Sequence, residues 1–365
     1  MTESPALPLA RPDAEGVWRP GRAYALRPTL GVLQRGTRDP CVRVGDRTAW
    51  LCFRTPSGPV TLLLQHDPPV RGSGRDRSNH ASGTHDPGPH DDDTGPGGPE
   101  QGAGRVRWRA WGDGAADLAA EPGRVERLLG AEDDWSGLDR PDVAASLPRA
   151  LREARRRAPG LRLPATGRVF DALVPVVLEQ KVTTIEARHA WRYLVRRFGD
   201  PAPAPGTAAL PEGLRLPLTA AQLRRVPSWE WHAARVDAKR SRALLLAAES
   251  AAGLDRLGAR RILDAAEHDA VSRAMQSIPG IGPWTVAETL QRSHGAPDTV
   301  SVGDYHLAAY VGAALTGRRT DDAGMLRLLE PWRGHRQRVV RLIQATGFRK
   351  PTYGPRLAPM DHRRR

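Results

Sequence analysis

The hydrophobic period of this chain changes once, near residue 114. Before that point apolar residues alternate with polar ones in short runs. VWRPGRAYALRPTLGVLQ, CVRVGDRTAWLCFRT and PVTLLLQH, within residues 17–66, and RVRWRAWG at 105–112 are punctuated by Gly, Pro and Asp and read as strands. Beyond it, apolar residues recur at spacings of three and four, the stripe of an amphipathic helix. A period of two buries a sheet face and a period of 3.6 buries a helix stripe, so the two parts build different layers. The sequence therefore predicts an α+β fold, with a small antiparallel sheet domain followed by an all-α core.

Residues 1–15 read as a disordered tail, 16–140 as the sheet domain, 141–350 as the helical domain and 351–365 as a basic tail. Within the sheet domain, 71–104 has almost no large apolar residue and reads as a disordered insertion. His80, His85, His90 and Asp91 to Asp93 inside it can be taken as a metal tract, but a solvated low-complexity loop explains them more simply. Thr166 is the expected N-cap of RVFDALVPVVLEQ, and Thr183 or Thr184 that of TIEARHAWRYLVRRF. A Pro/Gly loop follows at 201–213. Further helices are predicted at 219–226, 238–251, 267–276, 284–293, 304–315, 321–330 and 335–346.

Charge narrows the partner. The chain has 55 Lys+Arg against 41 Asp+Glu, a formal +14, and its only lysines are Lys181, Lys239 and Lys350. The excess sits in the helical half; from Pro331 onward there is a single acid, Asp361. Such a chain is predisposed to polyanions, nucleic acid before anionic membrane. There is no apolar run of about 18 residues and no basic-then-apolar leader, so a cytoplasmic protein with no membrane partner is expected. Cys41 and Cys52 exclude a four-cysteine cluster and read as small buried hydrophobes.

Two local features carry chemistry. The first is Ile278-Pro279-Gly280-Ile281-Gly282-Pro283-Trp284-Thr285, a turn between two helical patterns. Its glycines permit outward-pointing N–H groups, and the helix starting at Pro283 or Trp284 adds a partial positive charge. Such a turn holds a phosphate without any side chain, though it also serves as a plain helix connection. The second is Val302-Gly303-Asp304-Tyr305-His306-Leu307, which puts a carboxylate at the start of an apolar helix 24 residues after Gly280. An Asp there is a natural cap; beside a phosphate-binding turn it can also do chemistry.

The turn, the intervening helix and the Asp resemble the helix-hairpin-helix superfamily of DNA base-excision glycosylases, and within it the bacterial 3-methyladenine DNA glycosylase II (alkylbase glycosylase) type. Ala158-Pro159-Gly160-Leu161-Arg162-Leu163-Pro164, Phe170-Asp171-Ala172, Leu178-Glu179-Gln180-Lys181-Val182 and Glu330-Pro331-Trp332-Arg333 occur in the order that family shows. The resemblance covers roughly 145–348. It implies a helix-hairpin-helix glycosylase core with the sheet domain as accessory, the insertion having no counterpart. It also implies a monofunctional DNA N-glycosylase of base-excision repair, bacterial, nucleoid-associated and monomeric. The implied partner is double-stranded DNA containing a damaged, alkylated base. No metal and no cofactor are implied, beyond a monovalent cation that hairpin carbonyls can hold.

Residue by residue, the resemblance makes Asp304 the catalytic aspartate, stabilising an oxocarbenium-like transition state. Trp284 stands where lyase-competent relatives carry a Schiff-base lysine, which disfavours a lyase. Trp284, Glu288, Trp229 and Tyr305 are the implied base pocket. Gln180 and Lys181 fall in the loop that fills the gap left by an extruded base. Pro279, Gly280, Ile281, Gly282, Thr285 and Arg333 are implied to hold the DNA backbone, with Arg336, Arg338 and Arg341 as a basic run behind them. Two positions depart from the family: Lys181 replaces an apolar wedge, and Glu288 replaces an aromatic. Glu288 either attracts or protonates a cationic base or pairs with an Arg. The alternative from another class is a non-catalytic DNA-binding or damage-sensing protein, which has no need of Asp304 at that spacing.

Overall fold

The computed structural model describes residues 10–68, 104–204, 206, 210–262 and 264–350. One antiparallel sheet contains β1 Ala14–Trp18, β2 Val42–Val44, β3 Thr48–Thr55, β4 Gly58–Asp67 and β5 Arg105–Trp111, in the order β1-β5-β4-β3-β2. β4 pairs with β3 through Leu62 and Leu51, and with β5 through Leu62 and Ala110. The expected insertion therefore joins two paired strands. Apart from Gly104 it lies outside the described residues, His80 to Asp93 included, as do 1–9 and the tail 351–365.

Three helices, α1 Leu26–Leu30, α2 Ala115–Ala120 and α3 Arg124–Leu128, cover one face of the sheet. Their Leu26, Leu30, Leu118 and Leu128 pack against Leu51, Phe53, Leu62, Leu64 and Trp108. On the other face Cys52 meets Leu214 and Leu216, and Thr61 Oγ1 donates to the Pro203 carbonyl at 2.6 Å. A strand covered on both faces reads as a continuous apolar run, which is why VTLLLQ loses its alternation. Cys41 and Cys52 are both free and buried.

Two N-terminal expectations are corrected. β1 begins inside the expected tail, because Asp13 and Ala14 already pair with Ala110 of β5. Leu26–Leu33, expected as strand, is helical through α1 and a 3-10 turn at Gly31–Leu33. Leu26 and Leu30 are four apart and both buried, a helical spacing that the neighbouring polar residues disguise as alternation.

The helical part has two cores. The first packs α7 Val169–Leu178, α8 Thr184–Phe198, α9 Ala220–Arg224, α10 Ser228–Ala233, α11 Ala238–Glu249, α12 Ala251–Gly258, α13 Ala265–Gln276 and α14 Pro283–Ser293. The second packs α4 Ser136–Asp139, α5 Pro141–Ser146 and α6 Arg149–Arg157 with α15 Leu307–Thr316, α16 Asp322–Leu329 and α17 Arg336–Ala345. The chain therefore enters the second core, builds the first and returns. Thr183 caps α8 in a capping box with Glu186. Thr166 does not cap α7; Arg168 is at that position, and Thr166 Oγ1, two residues before it, accepts the Arg168 N–H. Trp229 to His232 belong to α10. Among the described residues no helix is long and apolar enough to cross a membrane.

Candidate active site

The turn between α13 and α14 is anchored by its apolar residues. Ile278 and Ile281 are buried in the first helical core, and the Ile281 N–H closes the turn on the Ile278 carbonyl at 3.1 Å. Gly280 has φ 90°, and a Cβ there would lie 2.8 Å from Cβ of Ala243 on α11. Both facts exclude a side chain. Gly282 is extended and is the N-cap of α14, with Pro283 at the first helical position. Among the described residues neither Gly280 nor Gly282 donates its N–H to a backbone carbonyl. Pro279 and Gly280 are exposed, while the Ile281 amide is used inside the turn. Thr285, expected on the DNA backbone, is 2% exposed.

Gln180 explains Thr285. Its side-chain Nε2 donates to Thr285 Oγ1 at 2.8 Å and to the Gly280 carbonyl at 3.0 Å. Gln180, one of the two residues expected at the DNA gap, ties the loop after α7 to the hairpin. Lys181 follows it, exposed, with φ 52°. A left-handed non-glycine residue is uncommon and marks a conformation imposed by its surroundings.

Asp304 lies before α15 rather than inside the expected 304–315 helix. Its Oδ1 accepts the N–H groups of His306 and Leu307 at 2.8 Å each, and its Oδ2 accepts Trp284 Nε1–H at 3.1 Å. One turn along α14, Ser301 Oγ donates to Glu288 Oε1 at 2.5 Å, so helix and loop are cross-linked twice. The second oxygen of Glu288 pairs with Arg292 at 2.8 Å. Burial pushes the Glu288 carboxyl up, but Arg292, Ser301 and Arg35 together outweigh it and hold the group below its ordinary range. Both Glu288 oxygens are occupied, so the ion-pair alternative is the one realised here.

No protein-family model matches the chain, and no curated protein matches it as a relative. Solved structures do. A 3-methyladenine DNA-glycosylase from Archaeoglobus fulgidus superposes with a TM-score of 0.64 at 13% identity, covering 91% of this chain and 99% of that one. The apo-form of the Clostridium acetobutylicum 8-oxoguanine glycosylase/lyase gives 0.59 at 8% identity, covering 93% and 99%. Its complex with double-stranded DNA containing cytosine opposite 8-oxoguanine gives 0.57 at 9%, covering 92% and 97%. The chain shares the fold of these structures.

Within this fold the remaining expected residues lie on separate elements. Trp229 is 70% exposed on α10, while its neighbour Trp231 is buried in the first core. Tyr305 is 80% exposed and stands edge-on to His306 at 4.8 Å. No hydrogen bond or ring contact links either aromatic to Trp284 among the described residues. Arg333 is exposed and pairs with Glu330 beside the second core. The basic run behind it is used internally: Arg336 pairs with Asp298, Arg338 is buried against Asp133, and Arg341 donates to the Pro28 carbonyl. Each of the three side chains thus has a partner within the protein.

Three residues near the site were not singled out from sequence. Arg35 Nη1 lies 2.7 Å from each oxygen of Glu179, and Arg292 Nε donates to the Val32 carbonyl at 3.1 Å. Arg292 was legible as the i+4 partner of Glu288. The Arg35–Glu179 pair spans 144 residues, and no local pattern announces it.

Proposed function

We propose that the chain is a monofunctional DNA N-glycosylase that removes damaged, alkylated bases from duplex DNA in base-excision repair. The observation that carries this reading is the Asp304 carboxylate held by Trp284, His306 and Leu307 at the mouth of the hairpin helix. The hairpin glycines bind the backbone phosphates. The extruded nucleotide places its C1′ beside Asp304. As the N-glycosidic bond breaks, the base leaves with the bonding pair and positive charge grows on the sugar, which the carboxylate stabilises. Water then forms the new bond to C1′ and loses its proton.

The Trp284 ring supplies an electron-rich face for an alkylated, cationic base. The same tryptophan supports a hydrolase rather than a lyase, because an imine at C1′ requires an amine at that place. Lys181, at the exposed tip of its loop, fills the gap in the duplex, since the Gln180 amide is committed to the hairpin.

The test is a set of duplexes each holding one defined lesion, incubated with the protein and then split into alkali-treated and untreated halves. Base release with strand breakage only after alkali is the expected result. Breakage without alkali replaces the hydrolase by a lyase. Binding without release from any lesion, alkylated ones included, leaves the non-catalytic reading.

A further inference from the structure

Arg35 lies in the connection between the 3-10 turn and β2, in the sheet domain, yet it touches the loop expected to enter DNA. It is 8% exposed. Its Nη1 holds both Glu179 oxygens at 2.7 Å, and Glu179 immediately precedes Gln180 and Lys181. Its Nη2 is buried without a hydrogen-bond partner. A buried ion pair is weak support for stability, and one that leaves a donor unsatisfied is weaker still. The contact is better explained by what it fixes.

It fixes one side of the gap loop, and the same connection fixes the other. The Arg35 N–H donates to Asp39 Oδ2 at 2.5 Å. Asp39 Oδ1 accepts Trp191 Nε1–H at 3.3 Å, and Trp191 lies on α8, the helix that follows the loop. Arg240 Nη1 donates to the Leu178 carbonyl at 2.9 Å, securing the end of α7. Gln180 is tied to the hairpin. Glu179 and Gln180, the two residues before Lys181, are thus held from inside, and Lys181 is exposed with φ 52°.

We propose that Arg35 is a positioning residue for base extrusion: through Glu179 it sets the end of α7 so that the loop presents Lys181 at its tip. The sheet domain thereby takes part in the reaction rather than merely flanking it. This inference rests on the base-extruding hydrolase reading above.

The experiment uses the full chain and a duplex with 2-aminopurine beside a single 7-methylguanine. Fluorescence reports extrusion, single-turnover release reports excision, and affinity for undamaged duplex reports backbone binding. Arg35→Met is expected to lower extrusion and excision together, by roughly tenfold to a hundredfold, as displacements away from the chemistry do. Affinity for undamaged duplex stays at the parent value. Glu179→Gln, which keeps volume and hydrogen bonding, moves both readouts the same way and serves if Arg35→Met does not fold. The double variant Arg35→Met/Glu179→Met loses no more than Arg35→Met alone, because both act through one contact. Parent-like extrusion in Arg35→Met, or losses that add in the double variant, overturns the proposal. If the parent protein releases no base, the hydrolase reading fails by itself, and the fluorescence amplitude still decides the role of Arg35.

Discussion

The indole Nε1–H of Trp284 lies 3.1 Å from Oδ2 of Asp304, while Oδ1 of the same carboxylate accepts two backbone N–H groups at the start of α15. The capping reading and the chemical reading of Asp304 are therefore compatible. One oxygen orders the turn; the other accepts from Trp284.

Asp304→Asn separates the two. Asparagine keeps Oδ1 as an acceptor for His306 and Leu307 but loses the charge and turns a donor toward Trp284. Excision of a damaged base is expected to fall by about 10²–10³-fold, the usual cost of removing one electrostatic stabiliser of a transition state. Duplex affinity is expected to hold, as measured by fluorescence anisotropy. Full activity in this variant removes Asp304 from the chemistry.

Trp284→Phe keeps an aromatic face and removes the Nε1–H. The single-turnover rate is expected to drop roughly tenfold, in line with one hydrogen bond to a charged group. Trp284→Lys places an amine where the imine route needs one. Borohydride is expected to trap a covalent DNA adduct with this variant and none with the parent chain. Trapping by the parent sends the search to Lys181.

The two hairpin glycines are predicted to fail differently. Gly280→Ala meets both a φ of 90° and a contact of 2.8 Å to Ala243, so it should destabilise the fold by about 1–3 kcal/mol. Gly282 has φ −96° and nothing within 4 Å of an added Cβ. Gly282→Ala should therefore melt like the parent while weakening DNA binding, with a shallower dependence of log affinity on log salt. Equal melting of both variants contradicts the geometry.

Glu288 gives a pH signature. Its carboxyl is held below its ordinary 4.5, so its pairing contributes stability that is fully present above that value and lost as pH falls through the lowered one. Glu288→Gln should cost roughly 2 kcal/mol at neutral pH, the scale of hydrogen bonds to a charged group. The gap between variant and parent in denaturant titrations should narrow below pH 4.5 and close as the pH falls through the lowered value. A gap that stays constant into acid means that Glu288 is not ionised against Arg292.

Much of this protein could be read along the chain, because the relevant interactions are local. Gly280, Gly282 and Pro283 restrict their own backbone, so the turn and its helix followed from their order. Thr183 and Glu186 are three apart and cap α8 as their spacing demands. The switch in hydrophobic period separated sheet from helices, since each period can bury only one kind of surface.

Tertiary structure decided what several polar side chains were used for. Gln180 had the right place in the chain to enter DNA, but Thr285 and the Gly280 carbonyl satisfy it first. Arg338 looked like part of a basic face until Asp133, 205 residues away, buried it. Arg35 had no local mark at all. A charged side chain reports its type through sequence but not its partner, and in a folded chain the partner decides whether the charge faces DNA or the core.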